Sequence, residues 1–331
     1  MSLAGAATPS KVAAHWSPFQ LRMATLPPGI VHPNAVPGPA RKPPVAPLTF
    51  SFFDYPGTQY DGATAISPGV MSTTKMFVAG IFGPGLLEQN SPGLQGYSGQ
   101  ISLKNGVITE SFPPPLPVVQ TIFGAWGVND AGEVVGQSVD TSYHGYVYAK
   151  KTVTQIDVPF TGATATGLNG INNAGVAVGY YNLSDNTQHG FTWKKGAFST
   201  LPDYPGADAT EPNAVNNNGD FAGSVWLSGN AHGFFLHNGN FALFDPPGSV
   251  YTLALGMNDN GDIVGSYCLE STVCPYTANG MQGFLYSNGT FYTINYPNAA
   301  QNWPTNINKS GTIVGSYVDQ AGFGHSYLAT P

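Results

Sequence analysis

Four of the seven histidines in the chain stand in one recurring phrase, which reads QHGFTW from Gln188 to Trp193. A histidine beside a glycine and an aromatic has three chemical uses: metal ligation, general-base catalysis, or a hydrogen bond that ties a fold together. Other residues of reactive type are sparse. Asp208 and Glu211, in GADATEPN, are the nearest carboxylate pair on a connecting segment. Two carboxylates about 5–10 Å apart across a groove would suit glycoside hydrolysis. Both cysteines lie in YCLESTVCPY, so Cys268 and Cys274 are close enough to bridge a single loop. With no Cys or His pair nearby they make a poor zinc site. A disulfide is the expected state and implies an oxidising compartment, the alternative being two unpaired surface thiols. Asn258 to Asp262, NDNGD, looks like half a calcium loop but lacks the length of about 12 residues and the closing glutamate. The same residues suit a tight hairpin. No nucleophile elbow, H-E-x-x-H helix, P-loop or dinucleotide fingerprint is present. No metal and no cofactor are expected.

The elements that hold these residues follow from an internal repeat. One phrase recurs as GVNDAGEVVGQS (127–138), GINNAGVAVGYY (170–181), AVNNNGDFAGSV (214–225), GMNDNGDIVGSY (256–267) and NINKSGTIVGSY (306–317), with a degenerate copy from Ala65 to Phe82. The second glycine falls at Gly80, Gly136, Gly179, Gly223, Gly265 and Gly315, which makes six copies spaced 42 to 56 residues apart. The histidine phrase or its variant follows each copy, and an NG-type turn and a segment such as DYPG come after it. Each copy reads as four short strands, A to D, with tight A–B and C–D hairpins. Four strands per ~45 residues, repeated, describe propeller blades.

The ends are complementary. The last copy stops after its third strand, in HSYLATP, and the first recognisable element, LTFSFFDYPG (48–57), is a fourth strand without its partners. The expected fold is therefore an all-β six-bladed propeller over 48–331, closed by the N-terminal strand joining the C-terminal blade. Small residues at Ala65, Gly127, Gly170, Ala214 and Gly256 fit strands converging on one axis, with Asn306 departing from the rule. Residues 1–47 hold ten prolines and no apolar period, and read as a disordered tail or linker. The phrases resemble the HAF family of probable extracellular repeats, whose copies combine a His-x-Phe phrase, an NG turn and a GIN…G…VG phrase. Here the residue after the histidine is glycine rather than alanine, and DYPG replaces the LGTLGG-like segment. The resemblance covers 48–331. It implies an extracellular or envelope-associated bacterial protein and no particular activity.

Comparison among the copies assigns the histidine. Strand C begins and strand D ends on one side of a blade, so the two positions should be cross-strand neighbours. His144 goes with Asp157, His189 with Asp203, His232 with Asp245, and His325 with Asp54 across the closure. In the fifth copy both change together, to Gln282 and Asn295, and in the first Gln95 faces Phe112. Joint replacement that keeps a hydrogen bond while removing charge is the behaviour of a structural contact.

Only 9% of the residues are charged, against about 25% in an ordinary soluble domain, while glycine (42), proline (28) and tyrosine (17) abound. Such a composition suits a turn-rich β protein outside the cytoplasm. The net charge is -7, and no acidic residue occurs in the first 50 positions, so the body is more acidic still. An acidic body argues against nucleic acid as a partner. No apolar run approaches the ~18 residues of a membrane helix. A monomer is expected. The B–C and D–A connections read as long and unlike one another, and they carry aromatics and acids. Trp126, Trp303 and Tyr276 are the candidate contacts for an extended extracellular polysaccharide or peptide polymer. Two functional readings stand side by side. One is a non-catalytic extracellular or periplasmic binding propeller for a glycan or cell-wall polymer. The other is a secreted hydrolase or lyase using Asp208 and Glu211.

Overall fold

The computed structural model describes residues 48–53, 60–68, 76–83, 95–104, 107–111, 121–269 and 281–331, and every regular element among them is a β-strand. The proline-rich segment 1–47 lies outside the described residues. After β1 (Thr49–Phe53), the strands come in fours. The first unit is β2 (Tyr60–Ile66), β3 (Met76–Gly83), β4 (Gln95–Lys104) and β5 (Val107–Ser111). The second is β6 (Thr121–Val128), β7 (Val134–Val139), β8 (Tyr143–Ala149) and β9 (Thr152–Ile156). The third is β10 (Ala163–Ile171), β11 (Ala177–Leu183), β12 (Gln188–Lys194) and β13 (Ala197–Thr200). The fourth is β14 (Ala209–Val215), β15 (Phe221–Leu227), β16 (Asn230–His237) and β17 (Asn240–Phe244). The fifth is β18 (Tyr251–Met257), β19 (Ile263–Cys268), β20 (Gln282–Ser287) and β21 (Thr290–Ile294). The sixth has β22 (Gln301–Ile307), β23 (Ile313–Val318) and β24 (Gly324–Thr330). Within each unit successive strands pair antiparallel. In the sixth the fourth place is taken by β1, with Thr49 opposite Thr330 and Phe53 opposite Ser326.

The recurring phrases are explained by what the strands touch. Every first strand carries a register shift at the same place, at Thr64, Trp126, Asn169, Asn213, Leu255 and Thr305. A bulge of this kind bends the strand and re-aims one side chain. It also pushes a carbonyl toward the neighbouring strand. A Cβ on Gly179 would meet the Gly167 carbonyl, one on Gly223 that of Glu211, and one on Gly265 that of Leu253. The glycine of VG is thus fixed by close backbone approach. The aromatic of the histidine phrase covers the same glycine, and Tyr97, Tyr146, Phe191, Phe234, Phe284 and Tyr327 are all fully buried. The hairpin glycine of NNAG, Gly175, has φ of 70°, which a residue with Cβ would resist.

The apolar core lies between sheets rather than within them. Val135, Val147 and Ile156 of the second unit pack against Leu168, Ile171 and Phe191 of the third. Phe53, Val314 and Leu328 of the sixth pack in the same way against Ala63, Ile66 and Val78 of the first. First strands contact one another in cyclic succession, β2 to β6, β10, β14, β18 and β22, and β22 contacts β2 again. The seam between last and first units carries its own bonds. Ala63 N–H donates to Ser326 Oγ (2.7 Å), and Thr305 Oγ1 donates to the Ala63 carbonyl (2.8 Å). Ser326 replaces the glycine found at this position in the other five copies, so the one departure at that position serves this seam.

A belt of asparagines joins the units. In each of five hairpins the asparagine after the first strand is buried, at Asn129, Asn172, Asn216, Asn258 and Asn308. Its Oδ1 accepts backbone N–H groups of its own turn, as Asn172 does from Ala174 and Val176 (both 3.0 Å). Its Nδ2 then donates to the matching carbonyl of the next unit: Asn129 to Asn172, Asn172 to Asn216, Asn216 to Asn258 and Asn258 to Asn308. Each buried amide is satisfied on both ends. The NDNGD turns therefore serve as connectors, and no group of three or more metal-ligating side chains occurs among the described residues.

Candidate functional site

Each histidine of the phrase begins a third strand, next to the end of the fourth. His144 Nδ1 lies 2.7 Å from Asp157, His189 Nδ1 2.8 Å from Asp203, and His232 Nδ1 2.8 Å from Asp245. The opposite ring nitrogen reaches back to the B–C turn. His144 Nε2 meets Asp140 (3.1 Å), His189 Nε2 meets the Thr187 hydroxyl (2.8 Å), and His325 Nε2 is 3.6 Å from Asp319. Asp54 lies outside the described residues, as does Phe112. Gln282 and Asn295 occupy the equivalent places but use other partners: Gln282 Oε1 accepts the Tyr267 hydroxyl, and Asn295 Oδ1 accepts Gly283 N–H. Burial alone would lower the His144 pKa; hydrogen bonds to Asp157 and Asp140 outweigh it, and the net shift is upward. The imidazoles of the third and sixth units also stack on a cross-strand tyrosine, Tyr181 on His189 and Tyr317 on His325.

The loop acids are largely occupied by their own turns. Asp140 accepts the backbone N–H groups of Thr141 and Ser142, which together with His144 hold its carboxyl down at about 2. Asp185 does the same for Thr187, and Asp319 for Ala321 and Phe323, and both sit below the usual carboxylate range. The expectation of long B–C connections does not hold for the second, third, fourth and sixth units. There β7 to β8, β11 to β12, β15 to β16 and β23 to β24 are joined by 3, 4, 2 and 5 residues. Such tight turns need left-handed positions, supplied by Asn186 (φ 69°) and by Ser228 and Gly229 (φ 51° and 86°).

Asp208 and Glu211 do not face one groove. Asp208 is exposed just before β14, whereas Glu211, on β14, is 1% exposed. Burial pushes the Glu211 carboxyl up to about 8, and the amides of Asn169 and Gln188 beside it offset only part of that cost. It belongs to a buried chain of amides that crosses the units. Tyr180 Oη donates to Gln137 (3.4 Å), and Gln137 Nε2 donates to Asn169 (3.2 Å). Asn169 Nδ2 serves Asn213 (3.0 Å) and Glu211 (3.3 Å), and Asn213 Nδ2 donates to the Ala254 carbonyl (3.0 Å). The Glu211 carboxyl is thus closed off from solvent.

The two described aromatic candidates are not loop platforms. Trp303 lies on β22 and is 9% exposed, packed with Trp226, Tyr251, Leu253, Cys268 and Met281. Trp126 sits at the bulge of β6 with its ring over Gly124, partly covered. Tyr276 and Cys274 lie outside the described residues. Cys268 is 1% exposed at the end of β19, and no described cysteine is a free thiol. A further aromatic-lined feature lies elsewhere. Between the fourth and fifth units is a cleft of about 380 Å³, lined by Pro246, Pro247, Tyr267, Phe284 and the stretch from Gly289 to Thr293. Tyr267 Oη is there, 3.4 Å from Thr293 Oγ1. Tyr267 was missed because its phrase, GSY, marks it only as a strand residue; the cleft depends on what three separate segments leave unfilled.

No family model matches the chain, and no curated relative matches it. Solved structures of similar shape do exist. A mutant of the Aleuria aurantia lectin in complex with α-methyl-L-fucoside has a TM-score of 0.50 at 10% identity, over 82% of this chain and 93% of that one. AofleA from Arthrobotrys oligospora matches with a TM-score of 0.47 at 11% identity, over 85% and 86%. TolB from Acinetobacter baumannii matches with 0.37 at 10% identity, over 83% and 65%. These neighbours are β-propeller-type folds, and the chain is all-β in repeated four-stranded sheets of that kind.

Proposed function

We propose that the six units close into one six-bladed propeller over 48–331, with β1 completing the last blade, and that the protein is a non-catalytic binding module for an extracellular glycan or cell-wall polymer. Supporting the closure are the β1–β24 pairing and the cyclic contacts of the first strands. The phrases that resemble HAF repeats support an extracellular or envelope setting, in which the expected Cys268–Cys274 disulfide would form. Lectins among the similar structures support a glycan as ligand, at the level of fold alone.

One observation carries binding over catalysis. The carboxylate whose pKa is tuned into the range of a general acid, Glu211, is sealed inside a hydrogen-bonded network, while Asp208 stands outside in water. Glycoside hydrolysis needs two carboxyl groups facing the same bond. An open aromatic cleft with hydroxyl groups on its wall is the type of surface that grips sugars by stacking and hydrogen bonding. The test is a panel of polysaccharides, cell-wall fragments and peptides, read for retention and for product together. Retention of at least one glycan without release of reducing ends or unsaturated sugars is the expected result. Product release that Glu211→Gln abolishes would establish the hydrolase or lyase reading instead.

A further inference from the structure

In three described seams between units, an aromatic side chain of the preceding unit fills the space against the next sheet. In the seam between the fifth and sixth units, Tyr296 stacks on Tyr317 (3.9 Å between ring centres) and packs on Phe50 and Tyr327. In the seam between the third and fourth, Tyr204 packs edge-on against Phe241 (5.5 Å). In the seam between the second and third, Phe160 packs on Tyr181 (4.9 Å) and Phe198 (6.4 Å).

In the fourth-to-fifth seam the packing ring is Phe244, against Phe284 and Phe291, and the tyrosine seen in two other seams is missing. The phrases NYPN, DYPG and DPPG align Tyr296 and Tyr204 with Pro246. Backbone contacts support the equivalence. Tyr204 N–H donates to Thr210 Oγ1 and Tyr296 N–H to Asn302 Oδ1, whereas Pro246 has no N–H and the matching Thr252 pairs with Ser249. The walls are otherwise kept: Tyr267, Phe284 and Phe291 stand where Tyr317, Tyr327 and Phe50 stand in the last seam. Phe244 covers the inner part of this aromatic group by stacking on Tyr286 (4.9 Å). The outer part is the open cleft.

We propose that this cleft is a monosaccharide subsite, in which the apolar face of a hexopyranose takes the place that a tyrosine ring holds elsewhere. The inference rests on the glycan-binding reading above and names the site and the ring it takes. Three features favour a sugar over an aromatic ligand. The cleft lies within the usual size range of small-ligand pockets. Phe291 is half-buried and offers part of its ring to C–H groups. Tyr267 Oη, Thr290 and Thr293 ring the space with hydroxyls, and Tyr267 Oη, which donates to Gln282, lies 3.4 Å from Thr293 Oγ1, so the two present their hydroxyls together to a sugar.

The test is Pro246→Tyr, which restores the side chain found in two other seams and returns an N–H facing Thr252. It should fold, with a melting temperature equal to or above that of the parent. Glycan affinity should fall at least tenfold, and Tyr267→Phe with Thr293→Val should weaken it several-fold without loss of fold. Unchanged affinity in a folded Pro246→Tyr overturns the subsite and leaves glycan binding at another surface standing. If Pro246→Tyr does not fold, the Tyr267→Phe, Thr293→Val pair decides, and unchanged affinity there overturns the subsite. If the unmodified protein retains no glycan at all, the glycan reading itself fails and the subsite falls with it.

Discussion

Asn172 Nδ2 donates to the backbone carbonyl of Asn216, 44 positions further along the chain, at 3.0 Å, and the bond is buried. The same bond recurs from unit to unit, so a residue that each hairpin needs for its own turn also fastens the neighbouring sheet. A protein assembled from repeats depends on such nearest-neighbour terms.

Replacing Asn172 by Ala removes that bond and strands the turn amides of Ala174 and Val176. The expected loss is about 1–3 kcal/mol in denaturant unfolding. Ser67 occupies the corresponding place in the first unit, where no asparagine stands. Ser67→Asn should be neutral or stabilising, by at most ~1 kcal/mol. A loss above that would show that the first unit does not use the common clasp.

The His189–Asp203 bond gives a second expectation. His189→Gln with Asp203→Asn mimics the residues of the fifth unit, and the double change should cost less than the sum of the singles. Because the aspartate is half exposed, the coupling should stay below about 1 kcal/mol. Strictly additive losses in the cycle would argue that the two side chains do not cooperate.

Glu211 gives a pH dependence whose sign is fixed. Its folded-state pKa is raised to about 8, so the folded protein keeps a proton that the unfolded chain has lost. Stability from this group is complete below the unfolded value near 4.5 and declines as pH rises toward 8. Glu211→Gln stays neutral throughout. The melting temperature of that variant relative to the parent should therefore climb steadily from pH 5 to pH 8. A difference that does not change over this range would mean that Glu211 is ionised in the folded protein.

Removal of residues 1–45 should leave the melting temperature unchanged. Removal of 1–57 takes away β1 and exposes the outer edge of β24, where Thr49 to Phe53 pair with Thr330 to Ser326. That variant should be strongly destabilised or aggregate. Equal stability of the two truncations would mean that β1 is dispensable for closure.

The strands and hairpins could be read directly from the sequence because their signals are local. Alternating apolar residues give the strands, and glycine with asparagine gives the turns. Contacts between units were only partly visible. The His–Asp neighbours emerged from comparing copies, because both members sit at fixed offsets within a copy. The asparagine clasp did not, although Asn129, Asn172, Asn216, Asn258 and Asn308 recur in every regular copy. A hairpin asparagine already has a sufficient local reason to be there. The loop-face aromatics misled for the opposite reason. Trp303 was counted with a connection, but it falls inside β22 and faces the apolar space between sheets. The cleft beside Pro246 depends on a tyrosine ring missing from that position, which becomes visible only when Tyr204 and Tyr296 are laid beside it.

The most direct measurement is an isothermal titration of the best-retained glycan's terminal monosaccharide, or of a short oligosaccharide that carries it, into the protein and into Pro246→Tyr. The proposal places sugar binding in the fourth-to-fifth cleft, so the expected stoichiometry is one site per chain, absent in the variant. Two or more equivalent sites, or a single site that persists in Pro246→Tyr, would contradict the assignment of sugar binding to this seam.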